Sequence, residues 1–372
     1  MKSKIALRLL AEQMDWSDEE ATEEFSALQL MITHKYDGYQ GFQPASRFHV
    51  ALLNWLSQFQ DVAQRRVAFS IIKERLVYIT QREMHHLVSL MMPELDRLMR
   101  KQIAKELGVQ FYETWTDPAA GRRLCLLRRR TLFVGLSDGA RIDVFRRYNE
   151  GTISNEQVVP FSEMSSQKWN SLIKELREWL DKHDYQDEPA SFEAVCLVDD
   201  FSGSGDSLLR FDDQEQKWKG KISKFYDVNE DKIGSILAEK CRLYAHHHLA
   251  SFQAEQAIND RLARFSADHP AFSYNATFSY VLPQNIVVDD QTLPPELIDL
   301  IKSHYNKGIQ DNHVGDNIWF GYSDCGLPLV LEHNTPNNSI ALLWADSTGS
   351  KFTEQHKMKP LFARRKRHST NG

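Results

Sequence analysis

A chain of 372 residues, 42% hydrophobic and 11% aromatic, is long enough for two domains and apolar enough for buried cores, which excludes a disordered or fibrous protein. A net charge of −6 and an isoelectric point near 6.2 exclude a generic polyanion binder. No apolar run reaches the roughly 18 residues a membrane-spanning helix needs, and the opening residues lack a signal-peptide cleavage site, so a cytoplasmic protein with no membrane partner is expected. Cys125, Cys196, Cys241 and Cys325 stand far apart with no Cys-x-x-Cys pair, which predicts reduced thiols and no structural zinc.

Up to about residue 107 apolar residues recur at helical spacing: Ile5, Leu7, Leu9 and Leu10, then Phe25, Leu28, Leu30 and Ile32, then Val50, Leu52, Leu53 and Leu56. Ser17 followed by Glu20 predicts a capping box that opens a helix after Trp16. The spacing predicts long helices over residues 62–80 and 83–107, the second with a potential break at Pro93, and a loop over residues 34–44, which contain Gly38, Gly41 and Pro44. From about residue 122 the pattern changes. Residues 124–127 and 131–136 are short apolar runs, and a polar turn at 137–143 leads into a helix or strand through Val144 and Phe145. Residues 169–182 and 252–265 read as helices, and 194–198, 242–248 and 276–282 as strands. Strands alternating with helices predict a largely parallel sheet covered on both faces. Further strands are expected at 318–322, 327–332 and 340–344. The expected division is a helical domain over 1–110 and an α/β domain over 111–372.

Two basic clusters, Arg122, Arg123, Arg128, Arg129 and Arg130 and the closing Arg364-Arg365-Lys366-Arg367-His368, read as solvated faces or as sites that meet phosphate. In a strand, only His246 and His248 of His246-His247-His248 share a face, and no third metal ligand is in view, so a structural role is expected. His85-His86 on a helix reads as incidental.

Residues 195–207, Val-Cys-Leu-Val-Asp-Asp-Phe-Ser-Gly-Ser-Gly-Asp-Ser, carry the chemistry for a phosphorylated ribose. Asp199 and Asp200 can accept hydrogen bonds from vicinal ribose hydroxyls. The loop from Ser202 to Ser207 can turn its N–H groups toward a phosphate, at the mouth of a helix expected to begin near Ser207. Adjacent acids are common on surfaces, but these stand at the carboxyl edge of a predicted parallel sheet, where open α/β folds place their ligands.

The segment resembles the ribose-phosphate motif of the type I phosphoribosyltransferases, four apolar residues followed by two acids and a small-residue loop. The resemblance implies that Asp199 and Asp200 hold the ribose hydroxyls, directly or through Mg²⁺. It implies that Ser202, Gly203, Ser204, Gly205, Asp206 and Ser207 form the 5′-phosphate loop. Gly203 and Asp206 stand where the family commonly has threonine, and a carboxylate beside phosphate is unfavourable unless it points away or meets a metal. The family also holds pyrophosphate on a loop after an earlier strand, here Ser137, Asp138, Gly139 and Arg141; Arg141 would neutralise phosphate charge, and Asp138 would reach it only through Mg²⁺.

Residues 135–143 (Gly-Leu-Ser-Asp-Gly-Ala-Arg-Ile-Asp), Asn155-Glu156-Gln157-Val158, the Asp199 to Gly205 stretch, residues 332–338 (Glu-His-Asn-Thr-Pro-Asn-Asn) and residues 360–365 together are similar to phosphoribosyltransferase-like proteins of bacterial conflict systems. Some of those proteins are encoded in anti-phage loci with retron reverse transcriptases. The resemblance implies an α/β, type I phosphoribosyltransferase-like parallel sheet flanked by helices, with an α-helical N-terminal domain. It also implies a defence role and a partner such as a reverse transcriptase ribonucleoprotein. Asp324, Glu332, His333, Asn334 and Asn337 read either as the hood that covers the base in such enzymes or as a tight turn bonded to its own backbone.

The expected function is transfer or cleavage at C1 of a phosphoribosyl group, with phosphoribosyl pyrophosphate or a nucleotide as ligand and Mg²⁺ as cofactor. The alternative is a non-catalytic module that senses a nucleotide, or docks nucleic acid or a ribonucleoprotein, to control a defence partner.

Overall fold

The computed structural model describes residues 3–41, 47–310, 317–348 and 357–364. Phe42, Gln43 and Pro44 of the expected loop, and Arg365, Lys366, Arg367 and His368 of the basic tail, lie outside the described residues.

The chain opens with α1 (Ser3–Met14), α2 (Asp18–His34), α3 (Phe48–Leu56), α4 (Val62–Ser70) and β1 (Val77–Ile79), then α5 (Gln81–Leu107) and α6 (Pro118–Arg129). The capping box of α2 is formed: Ser17 Oγ accepts from the Glu20 amide (3.2 Å) and the Glu20 carboxylate from the Ser17 amide (2.8 Å). The helix expected over 62–80 is shorter. It ends at Ser70, passes through a π-turn at Ile71–Arg75 and gives way to β1, whose Val77 and Ile79 favour a strand. α5 runs through Pro93 without a break. Residues 124–127 are helical because Asp117 caps α6, its carboxylate accepting from the Ala120 amide (2.8 Å), with Pro118 in the first turn.

The chain continues with β2 (Thr131–Gly135), α7 (Ile142–Tyr148), β3 (Val158–Pro160), α8 (Ser166–Lys182), β4 (Phe192–Ser202), β5 (Arg210–Asp212), β6 (Lys217–Lys219), α9 (Lys221–Asn229), β7 (Leu237–Ser251), α10 (Phe252–Asp268) and β8 (Phe272–Leu282). Last come α11 (Pro295–Ser303), β9 (Leu329–Leu331) and α12 (Ala341–Trp344). Of the late strands expected, only part of 327–332 forms one. Residues 341–344 are a helical turn, and 318–322 form a turn closed by the Gly321 amide on Ile318 O (2.9 Å).

Contacts group the chain into two interleaved units, Met1–Glu83 with Pro283–Gly372, and Met84–Leu282, instead of dividing it in sequence at residue 110. In the first unit the C-terminal segment completes the core of the N-terminal helices: Leu300, Leu342, Leu343 and Phe362 share one cluster with Leu10, Trp55, Phe59 and Tyr78. β1 pairs in parallel with β9, and Trp55 Nε1 donates to Leu342 O (2.8 Å).

The second unit is an all-parallel five-stranded sheet, order β3-β2-β4-β7-β8. Alternate side chains go to opposite faces. Leu132, Val134, Val195, Leu197, Leu243 and Ala245 pack under α8, α9 and α10, while Phe133, Ala194, Cys196, Val198 and Tyr244 pack under α5 and α7. This is a type I phosphoribosyltransferase-like sheet flanked by helices, with helices at the N-terminal end of the chain. Cys125, Cys196, Cys241 and Cys325 form no disulfide. Among the described residues no helix is long and apolar enough to cross a membrane.

Most of the central arginine cluster is spent on the fold. Arg123 grips Glu193 through two bonds (2.9 and 2.7 Å) and also donates to Glu106 (2.9 Å). Arg130, 4% exposed, donates to Glu193 (2.5 Å) and to Ser191 O (2.7 Å), while Arg128 pairs with Asp96 and Arg129 with Glu156. Removing one partner of such a buried network leaves the other charge desolvated. Glu193→Ala is therefore expected to destabilise the fold by about 3 kcal/mol, read as a lower urea midpoint.

β7 buries three histidines completely. His246 contacts Thr277 Oγ1 (2.9 Å) and Ser279 Oγ (3.2 Å), and His248 Nε2 meets Ala140 O (2.9 Å). Burial pushes His247 down to about 4 and lowers His246 and His248 as well. The unfolded chain therefore takes up protons near pH 6.5 that the folded chain refuses. Stability is full above that pH and falls as the pH drops below it, for His247 down to about 4, by up to about 1.4 kcal/mol per pH unit for a single histidine. Melting temperatures between pH 7.5 and 5 should fall accordingly, with a shallower slope in His247→Gln.

Candidate functional site

β2 and β4 are paired neighbours, Gly135 beside Val198, and the Leu136 amide extends the ladder to Val198 O (2.8 Å). The loops that follow them leave from one sheet edge, the carboxyl edge that parallel α/β sheets use for ligands. The first passes through a 3-10 turn (Asp138–Ala140) and a left-handed Arg141 (φ 52°) before α7 begins.

The two loops touch through the acid pair. Ser137 Oγ donates to Asp199 Oδ1. A Cβ on Gly139 would lie 2.3 Å from Asp200 Oδ2, so the carboxylate rests directly on that backbone and only glycine leaves it room. β4 stays extended through both acids, pairing Asp199 with His247 and Ser202 with Ala250. Asp199 accordingly follows Val195 and Leu197 onto the α9 face, and Asp200 follows Cys196 and Val198 onto the α7 face. Asp199 is 4% exposed, and its second oxygen pairs with Lys221 Nζ at the start of α9. His247 adjoins it, stacked on Phe278 at 6.2 Å with its Nδ1 unpartnered. On the Asp200 side, the buried Ser202 Oγ, His248 Nδ1 and Arg141 Nε have no protein partner.

The loop after β4 is built with its carbonyls turned into the protein. Gly203 O accepts from Ser251 Oγ (2.5 Å), the N-cap of α10, and Ser204 O accepts from Arg261 (3.3 Å). Gly205 O accepts from the Leu208 and Leu209 amides (3.1 Å each), Asp206 O from Arg210 (3.1 Å) and Ser207 O from the Lys221 amide (3.1 Å). Gly205 sits at φ 80° with Ile258 3.0 Å from where its Cβ would be. The Asp206 carboxylate is turned to Arg261 (2.7 Å), which relieves the expected conflict with a phosphate.

No helix begins at Ser207. The β5–β6 hairpin intervenes, and α9 starts at Lys221, yet its first two amides bond Ser207 O and Leu208 O (3.1 Å each), so loop and helix still abut. A Cβ on Gly220, the residue before α9, would lie 2.5 Å from Leu208 O.

Ser137, Gly139, Arg141, Asp199, Asp200 and the 202–207 loop thus gather at one edge, with Asp138 exposed on its rim. Asp199 and Asp200 do not face a common point, and among the described residues no three His, Cys, Asp or Glu side chains are placed to hold a metal ion. The late residues belong to the first unit. There Leu331 and Asn334 exchange backbone bonds (3.2 and 3.0 Å) in a tight turn, while Glu332 O accepts from the Gln40 amide (2.8 Å) and Asn337 O from the Tyr322 amide (2.7 Å), partners distant in the sequence. Sequence reading missed Lys221, Arg261 and Ser251. Ser251 carried a local signal, a serine three residues before the first turn of α10 closes on Ala254; the two cations carried none.

No curated protein and no solved structure matches the chain. A family model does: that of PRTase-CE, over residues 52–364, which covers both loops and most of the chain. With its parallel sheet and paired loops, the chain belongs to this phosphoribosyltransferase-like family.

Proposed function

We propose that the edge between the Ser137–Arg141 loop and the Ser202–Ser207 loop binds a 5-phosphoribosyl group and acts at its C1. The bonded carbonyls of residues 203–207 carry this reading: a turn that gives five successive carbonyls to protein, with the Asp206 amide on Ser204 Oγ (3.4 Å), offers its other N–H groups to an anion. Gly203 and Gly205 let a phosphate approach that backbone closely, and the salt bridge from Asp206 to Arg261 keeps its carboxylate off the ligand. Asp200 accepts from ribose hydroxyls. Arg141, with its buried Nε awaiting an acceptor, faces the leaving pyrophosphate or base side.

In the reaction the bond from C1 to the leaving group breaks, its electron pair departs with that group, and an acceptor or water bonds to C1. Positive charge grows on the ribose in between, so the protein's work is positioning and charge stabilisation, and no protein nucleophile is needed. Mg²⁺ accompanies pyrophosphate ligands, but the acid pair does not fit an ion shared by both carboxylates, since they lie on opposite faces of β4. Resemblance to conflict-system proteins supports a defence effector that depletes or modifies nucleotides.

Titration calorimetry with phosphoribosyl pyrophosphate and common nucleotides, with and without Mg²⁺, tests the reading alongside assays for released base or pyrophosphate. Binding with turnover is expected. Gly139→Ala should weaken binding roughly tenfold or more by displacing Asp200, while its melting temperature falls by only a few degrees. Binding without turnover would make the chain a nucleotide sensor, and no binding by the wild type would end the phosphoribosyl reading.

A further inference from the structure

Paired acids at the end of a ribose-binding strand would be expected to work together on one ligand, yet here their direct contacts separate them. Asp199 is 4% exposed, and both of its oxygens are engaged by protein, one by Ser137 Oγ and one by Lys221 Nζ. It lies on the face that holds α9, and through its two partners it ties the start of that helix and the Ser137 loop to the end of β4. Asp200 is partly exposed and rests on Gly139, on the α7 face. That face also carries two buried polar atoms that lack protein partners, Ser202 Oγ and His248 Nδ1, with Arg141 Nε close by; beside Asp199 another such atom is His247 Nδ1. Buried polar atoms left without partners are costly, and the group around Asp200 is one a polar ligand would complete.

We propose that the acid pair is divided in function: Asp199 is a positioning residue, the buried counter-ion that locks Lys221 and Ser137 in place, and Asp200 alone meets the ribose of the ligand. The proposal rests on the phosphoribosyl reading above. Removing the charge of Asp199 by itself leaves the partly exposed Lys221 ammonium without its counter-ion, whereas removing both charges together leaves neutral groups able to hydrogen-bond each other.

The test compares Asp199→Asn, Asp200→Asn and the double variant Asp199→Asn/Lys221→Gln for melting temperature and for phosphoribosyl pyrophosphate affinity by calorimetry. Asp200→Asn should lose affinity roughly tenfold or more with little change in melting temperature. Asp199→Asn should melt lower, and the double variant should regain both melting temperature and affinity, the latter to within about threefold of wild type. If the wild type binds and the double variant loses affinity as Asp200→Asn does, Asp199 touches ligand and the division is overturned while the phosphoribosyl reading stands. If the wild type does not bind, both fall. A crystal structure of the wild type with the same ligand decides the matter without variants: Asp199 still on Lys221 and Ser137 supports the division, and Asp199 on the ribose hydroxyls overturns it.

Discussion

The extended course of β4 is the constraint on which the site depends. Past an irregularity at Phe192–Ala194, the strand runs extended to Ser202, paired with β2 as far as Val198 and with β7 to its end, and that geometry sends successive side chains to opposite faces whatever their polarity. Its apolar half builds both layers of the core, with Val195 and Leu197 under one set of helices and Cys196 and Val198 under the other. The same alternation, carried two residues further, sorts the two carboxylates into different surroundings. Core packing and site chemistry are therefore consequences of a single backbone conformation.

Charge is handled at the two ends of this sheet in different ways. Around Glu193, at the start of β4, arginines and carboxylates neutralise one another within the fold, and Arg123, Arg128, Arg129 and Arg130 have no charge to spare for an outside anion. At the carboxyl end, Asp199 and Asp206 are likewise matched by Lys221 and Arg261. With both acids neutralised, the loop's field toward an incoming phosphate is set by its backbone dipoles and Arg141.

Much of the architecture was legible in the sequence because it was written locally. The alternation of strands and helices from residue 131 onward and the Ser17 to Glu20 capping box follow from short-range pattern, whereas the meeting of the two loops at one sheet edge was implied by the family resemblance. Strand character beyond Val198 was not legible, since aspartate, serine and glycine read as a loop; the ladder with β7 overrides that preference. A short apolar run does not by itself distinguish strand from helix: capping by Asp117 makes 124–127 helical, and 340–344, expected as a strand, is a helical turn over 341–344. The interleaving of the first unit, in which Phe362 joins a core begun at Leu10, depends on contacts across more than three hundred residues and leaves no local trace.

The β5–β6 hairpin gains significance from how the chain closes around it. Leu208 and Gly220 meet at its base, where the missing Cβ of Gly220 lets its backbone lie against Leu208 O, and the helix beyond bonds back to the loop as though the intervening residues were absent. Chain enters and leaves the hairpin at nearly one point. Arg210, the first residue of β5, still reaches back to Asp206 O (3.1 Å), so the base of the hairpin belongs with the loop, while its exposed tip at residues 213–216 is a place where length can be gained or lost, or a foreign segment grafted, without shifting the residues at the sheet edge.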